Sequence, residues 1–204
     1  MMKIKIYMVG SIGTNCYLVW DDESKDAMLV DPGGYEPLIE RAIDENTLRL
    51  KYILLTHGHY DHVDGVCDFQ ESEPDAILAA CEGDGLYLKE LAPGLILKDG
   101  DILELGGLSF RVIATPGHTE GGLSLYIPET DPELTDESFS GTVFSGDTLF
   151  KASIGRTDLP GGDYEELKSS IREKLFELPD DTLVLPGHMG ATTIEYEKLY
   201  NPFV

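Results

Sequence analysis

The sequence predicts an α/β protein whose mixed β-sheets are covered by helices. Two observations support this class: β-rich and helical segments alternate along the whole chain, and hairpin signals occur near its start and in its middle. A chain of 204 residues can bury roughly 70% of its unfolded surface as one domain. Because no low-complexity segment or linker interrupts the pattern, we expect a single domain over residues 1–204.

The sequence of the first part of the chain predicts five strands and three helical segments. Runs rich in β-branched and aromatic residues indicate the strands, and a glycine-containing turn makes the first two a hairpin. Apolar residues at helical spacing indicate the helices, and the stretch Asp-Pro-Gly-Gly after residue 30 is a strong breaker. The predicted strands are 4–9, 16–19, 27–30, 52–55 and 76–80, and the helical segments are 36–46, 63–69 and 85–91.

The second part continues the alternation. A pair of glycines between two β-rich runs predicts another hairpin. Asp163, with Glu166 three residues later, is a variant of the capping box that begins a helix, and Pro179 stops this helix. The acidic stretch 128–141 is typical of a surface insertion. The predicted strands are 102–105, 108–114, 123–127, 142–145 and 183–185, and a closing helix is predicted at 194–199.

Charge and cysteine content indicate which partners and which cellular compartment to expect. A formal net charge of −23 with only 15 Lys and Arg argues against nucleic acid as a partner, because basic side chains supply that affinity. The three cysteines lack CxxC spacing and indicate a reducing compartment. The start resembles no signal peptide, and no apolar run could span a bilayer. We expect a cytoplasmic protein without a membrane partner, and its oligomeric state is open.

The stretch T-H-G-H-Y-D-H, from Thr56 to His62, places three histidines and an aspartate directly after a buried strand. If the backbone stays extended, His57, His59 and Asp61 share a face and His62 points elsewhere. Zinc and iron bind imidazole and carboxylate ligands of this kind. We therefore predict a site for two metal ions here. The alternative is a polar loop in which the histidines bind no metal and instead cap a helix or form hydrogen bonds.

The other two histidines, His118 and His188, each follow Pro-Gly at the end of a predicted strand, and Asp147 follows Ser-Gly in the same kind of position. Such turns present one side chain at a sheet edge. All five histidines therefore stand at strand exits, whereas histidines of a core would scatter. We predict that these three residues are further ligands, with an ordinary Gly-Asp turn as the alternative for Asp147.

This order of ligands resembles the metallo-β-lactamase superfamily over essentially the whole chain. The resemblance implies a four-layer αββα sandwich with the metal site at one edge. It also implies that the first ion is held by His57, His59 and His118, that the second is held by Asp61, His62 and His188, and that Asp147 bridges both. It further implies that Asp31 orients a ligand imidazole, with a turn-forming Asp-Pro as an equal alternative, and that Thr56 has at most a similar supporting role.

Within the superfamily, the run S-G-D-T-L-F at 145–150 is similar to the glyoxalase II-like hydrolases. The longer members of that family carry a C-terminal glutathione-binding domain, and we expect a short form without it. Arg156 stands where the family carries a lysine that holds glutathione, and an arginine there could clamp a carboxylate. The alternative for Arg156 is a salt bridge to Asp158 or to another surface acid.

The resulting hypothesis is a metal-dependent hydrolase that cleaves a thioester of the S-2-hydroxyacylglutathione type with a metal-bound hydroxide. Two divalent ions would take part, zinc as the first choice and iron or manganese as alternatives, with Asp61 and Asp147 as catalytic carboxylates. A positive site would suit a small anionic thioester. The Gly-Arg-Thr-Asp run at 155–158 is equally similar to the persulfide dioxygenases, so a mononuclear-iron oxidoreductase is one alternative and a lactonase is another.

Overall fold

The computed structural model of the chain describes residues 1–84, 88, 91–134 and 139–204, so most of the helix predicted at 85–91 lies outside the described residues. The strands are β1 (Met2–Val9), β2 (Thr14–Asp21), β3 (Asp26–Val30), β4 (Arg49–Leu54), β5 (Ile77–Cys81), β6 (Leu95–Leu97), β7 (Ile102–Leu105), β8 (Leu108–Ala114), β9 (Leu123–Ile127), β10 (Thr142–Gly146), β11 (Leu149–Phe150), β12 (Ser153–Ile154), β13 (Leu183–Pro186) and β14 (Thr192–Thr193). The α-helices are α1 (Pro37–Glu45), α2 (Tyr60–Val63), α3 (Val66–Ser72), α4 (Tyr164–Glu173) and α5 (Ile194–Tyr200). Single 3₁₀ turns occupy Glu82–Asp84 and Leu175–Glu177.

Two six-stranded sheets form the centre of the fold. The first has the order β1-β2-β3-β4-β5-β6, and the second has the order β14-β13-β10-β9-β8-β7. Both are mixed, because β3 to β6 run parallel in the first sheet and β10 pairs parallel with β13 in the second. The two predicted hairpins are confirmed as the antiparallel pairs β1–β2 and β7–β8.

Three apolar clusters define the layers. One lies between the sheets and takes side chains from both, such as Val19 of β2 and Phe110 of β8. A second joins the outer face of the first sheet to α1 and α3, and it includes Leu18, the neighbour of Val19. The third joins the outer face of the second sheet to α4 through Leu167 and Ile171. Alternating side chains on both faces of a strand therefore produce the predicted αββα sandwich, which is confirmed.

One predicted helix is shorter than expected, because α4 ends at Glu173 and a 3₁₀ turn fills the stretch before Pro179. The other differences concern short pieces. The strands β11, β12 and β14 have two residues each and β6 has three, which is too short for an alternating pattern to show. The helical segment expected at 63–69 is divided into α2 and α3 around Gly65. In the described part of the chain, no helix has both the length and the apolar character required to cross a membrane.

Candidate metal centre

The structure brings the seven predicted ligands together at one edge of the sandwich, where β4, β8, β10 and β13 end. Their donor atoms form three overlapping triplets, and within each triplet the atoms lie within 4.8 Å of one another. We name the first triplet the deep group and the last the outer group. The triplets are His57, His59 and His118 (the deep group); His57, His62 and Asp147; and Asp61, His62 and His188 (the outer group).

The short helix α2 decides which group Asp61 joins. An extended backbone would have placed Asp61 beside His57 and His59, and this expectation is wrong because α2 begins at Tyr60. Side chains repeat every 3.6 residues on a helix rather than every two, and the Asp61 carboxylate joins His62 and His188 instead. Its Oδ2 lies 3.1 Å from His188 Nε2.

Asp31 and Thr56 fix the ring of His57 in the deep group. The Thr56 hydroxyl donates to Asp31 Oδ2 at 2.7 Å, and the Thr56 backbone N–H donates to Oδ1 at 2.7 Å. Because that hydroxyl has only one hydrogen, it must accept from His57 Nδ1, which lies 3.1 Å away. His57 Nε2 then carries a lone pair, and it is buried without a hydrogen-bond partner among the described residues. A neutral imidazole whose lone pair has no hydrogen-bond donor is suited to bind a metal ion.

A backbone carbonyl orients His118 in the same way. His118 Nδ1 lies 2.7 Å from the Arg156 carbonyl oxygen, and since a carbonyl only accepts, Nδ1 carries the proton. The other nitrogen, Nε2, faces the site and lies 2.9 Å from His59 Nδ1 and 3.6 Å from Asp147 Oδ2. Donor atoms of the deep group therefore converge from two separate loops.

Asp31 also orients His62 of the outer group. Its Oδ2 accepts from His62 Nδ1 at 2.9 Å, and both side chains are buried. His62 Nε2 then points at two carboxylates, 3.4 Å from Asp61 Oδ2 and 3.3 Å from Asp147 Oδ1. One buried aspartate thus contacts both groups, directly at His62 and through Thr56 at His57, and contacts of this kind orient an imidazole.

Asp147 lies between the two groups. Its Oδ2 is 3.6 Å from His118 Nε2 and 3.6 Å from His188 Nε2, and its Oδ1 approaches His62. This arrangement requires glycine at position 187, because a Cβ on Gly187 would stand 2.4 Å from Asp147 Oδ1 and 2.6 Å from His62 Cε1. The Pro-Gly before His188 is therefore needed for close approach as well as for the turn.

The electrostatic field differs between the two groups. Burial and the surrounding imidazoles lower the pKa of His57 well below its ordinary value, and burial and His118 lower the pKa of His59. Both rings are therefore neutral at pH 7. Burial also lowers the pKa of His62, but the carboxylates of Asp31 and Asp147 outweigh burial and raise it to about 10.

The remaining members of the outer group follow the same trend. The hydrogen bond to Asp61 raises the pKa of His188. Burial raises the pKa of Asp61, but His188 and His62 outweigh burial and lower it to about 2. The outer group therefore favours positive charge, and a divalent cation in the same field would compete with the proton on His62.

The residues fit divalent metal ions. Five imidazoles and two carboxylates offer the nitrogen and oxygen donors that zinc and iron bind. Buried polar atoms normally have partners, yet within the described residues His57 Nε2, His62 Nε2 and Asp147 Oδ1 have no hydrogen bond. A cation among these atoms would satisfy all three. The donor chemistry and the unsatisfied atoms therefore agree.

A cavity of about 470 Å³ opens over the donors. Its floor is polar and formed by the candidate ligands, whereas much of its wall is apolar. The wall includes Ile12, Phe150, Ile154, Leu159 and Met189. Arg156 also lies on the wall, but its guanidinium makes two hydrogen bonds of 2.7 Å to Asp158, and both side chains are exposed. The salt bridge between Arg156 and Asp158, which the sequence offered as an alternative to substrate binding, is therefore present.

Sequence reasoning missed the residues that hold the His188 loop. Asn15, at the start of β2, donates through Nδ2 to the carbonyls of Pro186 at 3.0 Å and Met189 at 2.9 Å. Tyr17 donates through its hydroxyl to the same Pro186 carbonyl at 2.6 Å. Two residues of the first sheet therefore position a ligand loop of the second. Their only signal in the sequence is polarity within a β-rich run.

Comparison with known proteins agrees with this geometry. The family model described as the metallo-beta-lactamase superfamily matches residues 9–188. The hydroxyacylglutathione hydrolase GloC of Haemophilus influenzae is 38% identical over 219 residues, covering 100% of this chain and 98% of that protein.

Two solved structures are also similar to this chain over nearly its full length. The crystal structure of the BLEG-1 B3 metallo-beta-lactamase superposes with a TM-score of 0.84 at 31% identity, covering 98% of this chain and 99% of that one. A di-iron-bound form of TTHA1623 superposes with a TM-score of 0.76 at 32% identity, covering 98% of this chain and 100% of that one. Both likenesses extend over nearly the full length of the fold.

Proposed function

The chain belongs to the metallo-β-lactamase superfamily of metal-dependent hydrolases, and on that premise we propose that it hydrolyses thioesters of the S-2-hydroxyacylglutathione type. One observation carries the proposal: candidate ligands from both groups line a single cavity, and Asp147 lies between the two groups. The full-length similarity to a hydroxyacylglutathione hydrolase supports the choice of substrate.

In this proposal the deep group would hold one divalent ion, the outer group would hold a second, and Asp147 would be a ligand common to both. Zinc is the first choice because its ligands are imidazole and carboxylate. Iron and manganese are the alternatives, and a relative in a di-iron-bound form supports iron. When bound, such ions supply hydroxide at neutral pH and polarise a carbonyl oxygen.

The two catalytic carboxylates act as anions. Asp61 keeps its charge because its pKa lies at about 2, so at neutral pH it accepts hydrogen bonds and does not act as a general acid. It can therefore orient an attacking water at the cavity floor, where its Oδ2 already accepts from His188 and lies 3.4 Å from the Thr14 hydroxyl. Asp147, whose pKa is also lowered against the effect of burial by His62, holds the two groups at a fixed separation.

Substrate binding follows from the cavity wall. The apolar side chains of the wall exclude water from the thioester, which strengthens electrostatic contacts at the reacting carbon. Arg156 is proposed to bind a carboxylate of the thiol portion, in exchange for its partner Asp158. A small anionic thioester therefore contacts the chain at two places, the polar floor and this arginine.

A second function merits a direct comparison because His57, His118 and Asp147 form a two-histidine, one-carboxylate arrangement. Such a set suits a single iron and oxygen chemistry, as in a persulfide dioxygenase. His118 Nε2 and Asp147 Oδ2 are 3.6 Å apart, and the rings of His57 and His118 have centroids 4.8 Å apart. Lactone hydrolysis at the same floor is the third candidate.

The test is elemental analysis of protein purified without added metal, followed by turnover assays. We expect about two ions per chain and release of free thiol from S-lactoylglutathione without oxygen uptake. One iron per chain, with oxygen consumed in the presence of glutathione persulfide, would establish the dioxygenase instead. A lactone and a β-lactam complete the panel, since turnover of either one alone would replace the thioester proposal.

A further inference from the structure

Asp84 is a buried carboxylate that lies outside the seven candidate ligands. It ends the 3₁₀ turn that follows β5, and its exposed fraction is only 2%. A buried carboxylate is costly unless hydrogen bonds replace the water it has lost. The donors around Asp84 therefore indicate what this residue does.

Three donors from two ligand loops bind the Asp84 carboxylate. The backbone N–H of Gly58, which stands between the two histidines of the loop after β4, donates to Oδ2 at 2.7 Å. The hydroxyl of Thr119, in the loop after β8, donates to the same oxygen at 3.0 Å. The backbone N–H of Gly121, also in that second loop, donates to Oδ1 at 2.8 Å.

The backbone of Gly121 packs closely against Asp84. A Cβ on Gly121 would stand 2.4 Å from the Asp84 backbone nitrogen and 2.8 Å from its Cγ. Only glycine lets the second loop approach the carboxylate this closely. The chain therefore joins the two loops by direct contact with Asp84.

These two loops need such a connection because they belong to different sheets. The loop after β4 leaves the first sheet, and the loop after β8 leaves the second. Their separation is therefore not set by pairing within one sheet. One backbone hydrogen bond, from Leu123 N–H to the Thr56 carbonyl at 2.9 Å, also crosses between them. Asp84 adds three bonds beside the ligands themselves.

We propose that Asp84 is a positioning residue for the deep group. It sets the distance between the loop that carries His57 and His59 and the loop that carries His118. The inference rests on the metal assignment of the proposed function. Residues that hydrogen-bond a metal ligand directly typically change metal affinity 10- to 100-fold when altered, and Asp84 acts through the ligand loops, so we expect an effect at the lower end of this range.

The test is the substitution Asp84→Asn in the full chain. The amide keeps the size of the carboxylate but turns one acceptor oxygen into an NH₂ group, which then faces an N–H donor of one loop. Cobalt(II) alone is titrated into metal-free wild-type and variant protein, and binding is followed by the visible absorption of the bound ion. We expect the cobalt ion of the deep group to bind roughly tenfold more weakly with a changed spectrum, and the ion of the outer group to bind as in the wild type.

Asp131→Asn is the matched control. Asp131 is also 2% exposed, and its carboxylate accepts the backbone N–H groups of Ile4 at 2.8 Å and Glu133 at 2.9 Å, on β1 and in its own loop. We expect this variant to lose stability to a similar degree and to bind cobalt as the wild type does. Equal loss of cobalt affinity in both variants would reduce Asp84 to a general structural role.

The outcomes separate the two proposals. If wild-type protein binds no cobalt, the metal assignment fails, and with it the proposed function. If folded Asp84→Asn binds cobalt with wild-type affinity, only the positioning role fails. Should Asp84→Asn not fold, Thr119→Val decides, because it removes one donor and leaves the other two. We expect a several-fold loss of cobalt affinity in that variant, and unchanged affinity would overturn the inference.

Discussion

The deep group and the outer group of the candidate centre are held by different forces. In the deep group the ligands are buried, and outward nitrogens bond to neutral atoms, the Thr56 hydroxyl and the Arg156 carbonyl. In the outer group the His188 side chain is 21% exposed, and the histidines contact carboxylates. Hydrogen bonds to neutral groups therefore orient the deep group, whereas contacts with charged carboxylates largely orient the outer group.

This difference predicts unequal metal binding. The pKa of His57 and the pKa of His59 are lowered, so these two deep-group imidazoles are neutral and able to bind a cation without losing a proton. The pKa of His62 and the pKa of His188 are raised, so protons compete with metal in the outer group. We therefore expect the deep ion to be the tighter one. The following changes test that ranking.

Asp147→Ala should have the largest effect because this side chain contacts both groups. Altering a partner one step further out already costs 10- to 100-fold, so we expect more than about a 100-fold loss of thioester hydrolysis. The circular dichroism spectrum should stay that of the wild type. His59→Ala, which removes a ligand of the deep group alone, should cause a loss of this size or somewhat less. Full activity of either variant, with its metal content verified, would refute the ligand assignment.

Asp61→Asn should separate the groups. The amide keeps the shape but removes the negative charge that His188 and His62 contact. Titration with a chelator, followed by elemental analysis at each step, should show two classes of ion in the wild type. We expect the variant to lose the weaker class and keep the tighter one. Loss of the tighter class would mean that the ranking of the groups is reversed.

Gly187→Ala should distort the contact between the groups. Its Cβ would stand 2.4 Å from Asp147 Oδ1, and overpacking of this kind costs about 1–3 kcal/mol. Gly190→Ala is the matched control, since a Cβ there meets nothing within 4 Å and should change the free energy of unfolding by less than about 0.5 kcal/mol. Thermal unfolding of metal-loaded protein measures both. Equal stability of the two variants would show that Asp147 can move freely.

Lowering the pH should release the outer ion first. A raised pKa means that the proton stays on His188 up to a higher pH, so protons displace metal there while the imidazoles of the deep group with lowered pKa are still neutral. Dialysis at successive pH values, with metal counted at each, should show two separate losses. A single loss of both ions would mean that the groups are coupled too strongly to be ranked.

Most of the fold was predictable because its elements are long and periodic. The hairpin of β7 and β8 has the bounds that the sequence predicts, since a pair of glycines separates two β-rich runs. The strands β11, β12 and β14 were not predictable, because two residues carry no period. Their pairing depends on tertiary contacts, which a local pattern does not contain.

From local pattern alone, the residues of the site were easier to predict than their grouping. Histidines after Pro-Gly at strand exits are a clear signal, because backbone turns there aim side chains at the sheet edge. The local pattern misplaced Asp61, since its position depends on a four-residue helix that begins at Tyr60, whereas the superfamily resemblance grouped it with His62 and His188, as the structure does. Asn15 and Asp84 were missed for a related reason: each acts on a loop distant in sequence, through bonds that only the fold creates.

Arg156 should give the smallest effect, because it serves the deep group only through its backbone. Its carbonyl accepts from His118 whatever the side chain is, while its guanidinium pairs with Asp158 on the exposed rim. We expect Arg156→Ala to raise KM for S-lactoylglutathione by about twofold to fivefold, the scale of an exposed ion pair, with kcat and metal content unchanged. Asp158→Ala should lower KM, because it frees the arginine. A neutral thioester should respond to neither change, and a fall in kcat or in bound metal would mean that the rim and the deep group are not independent.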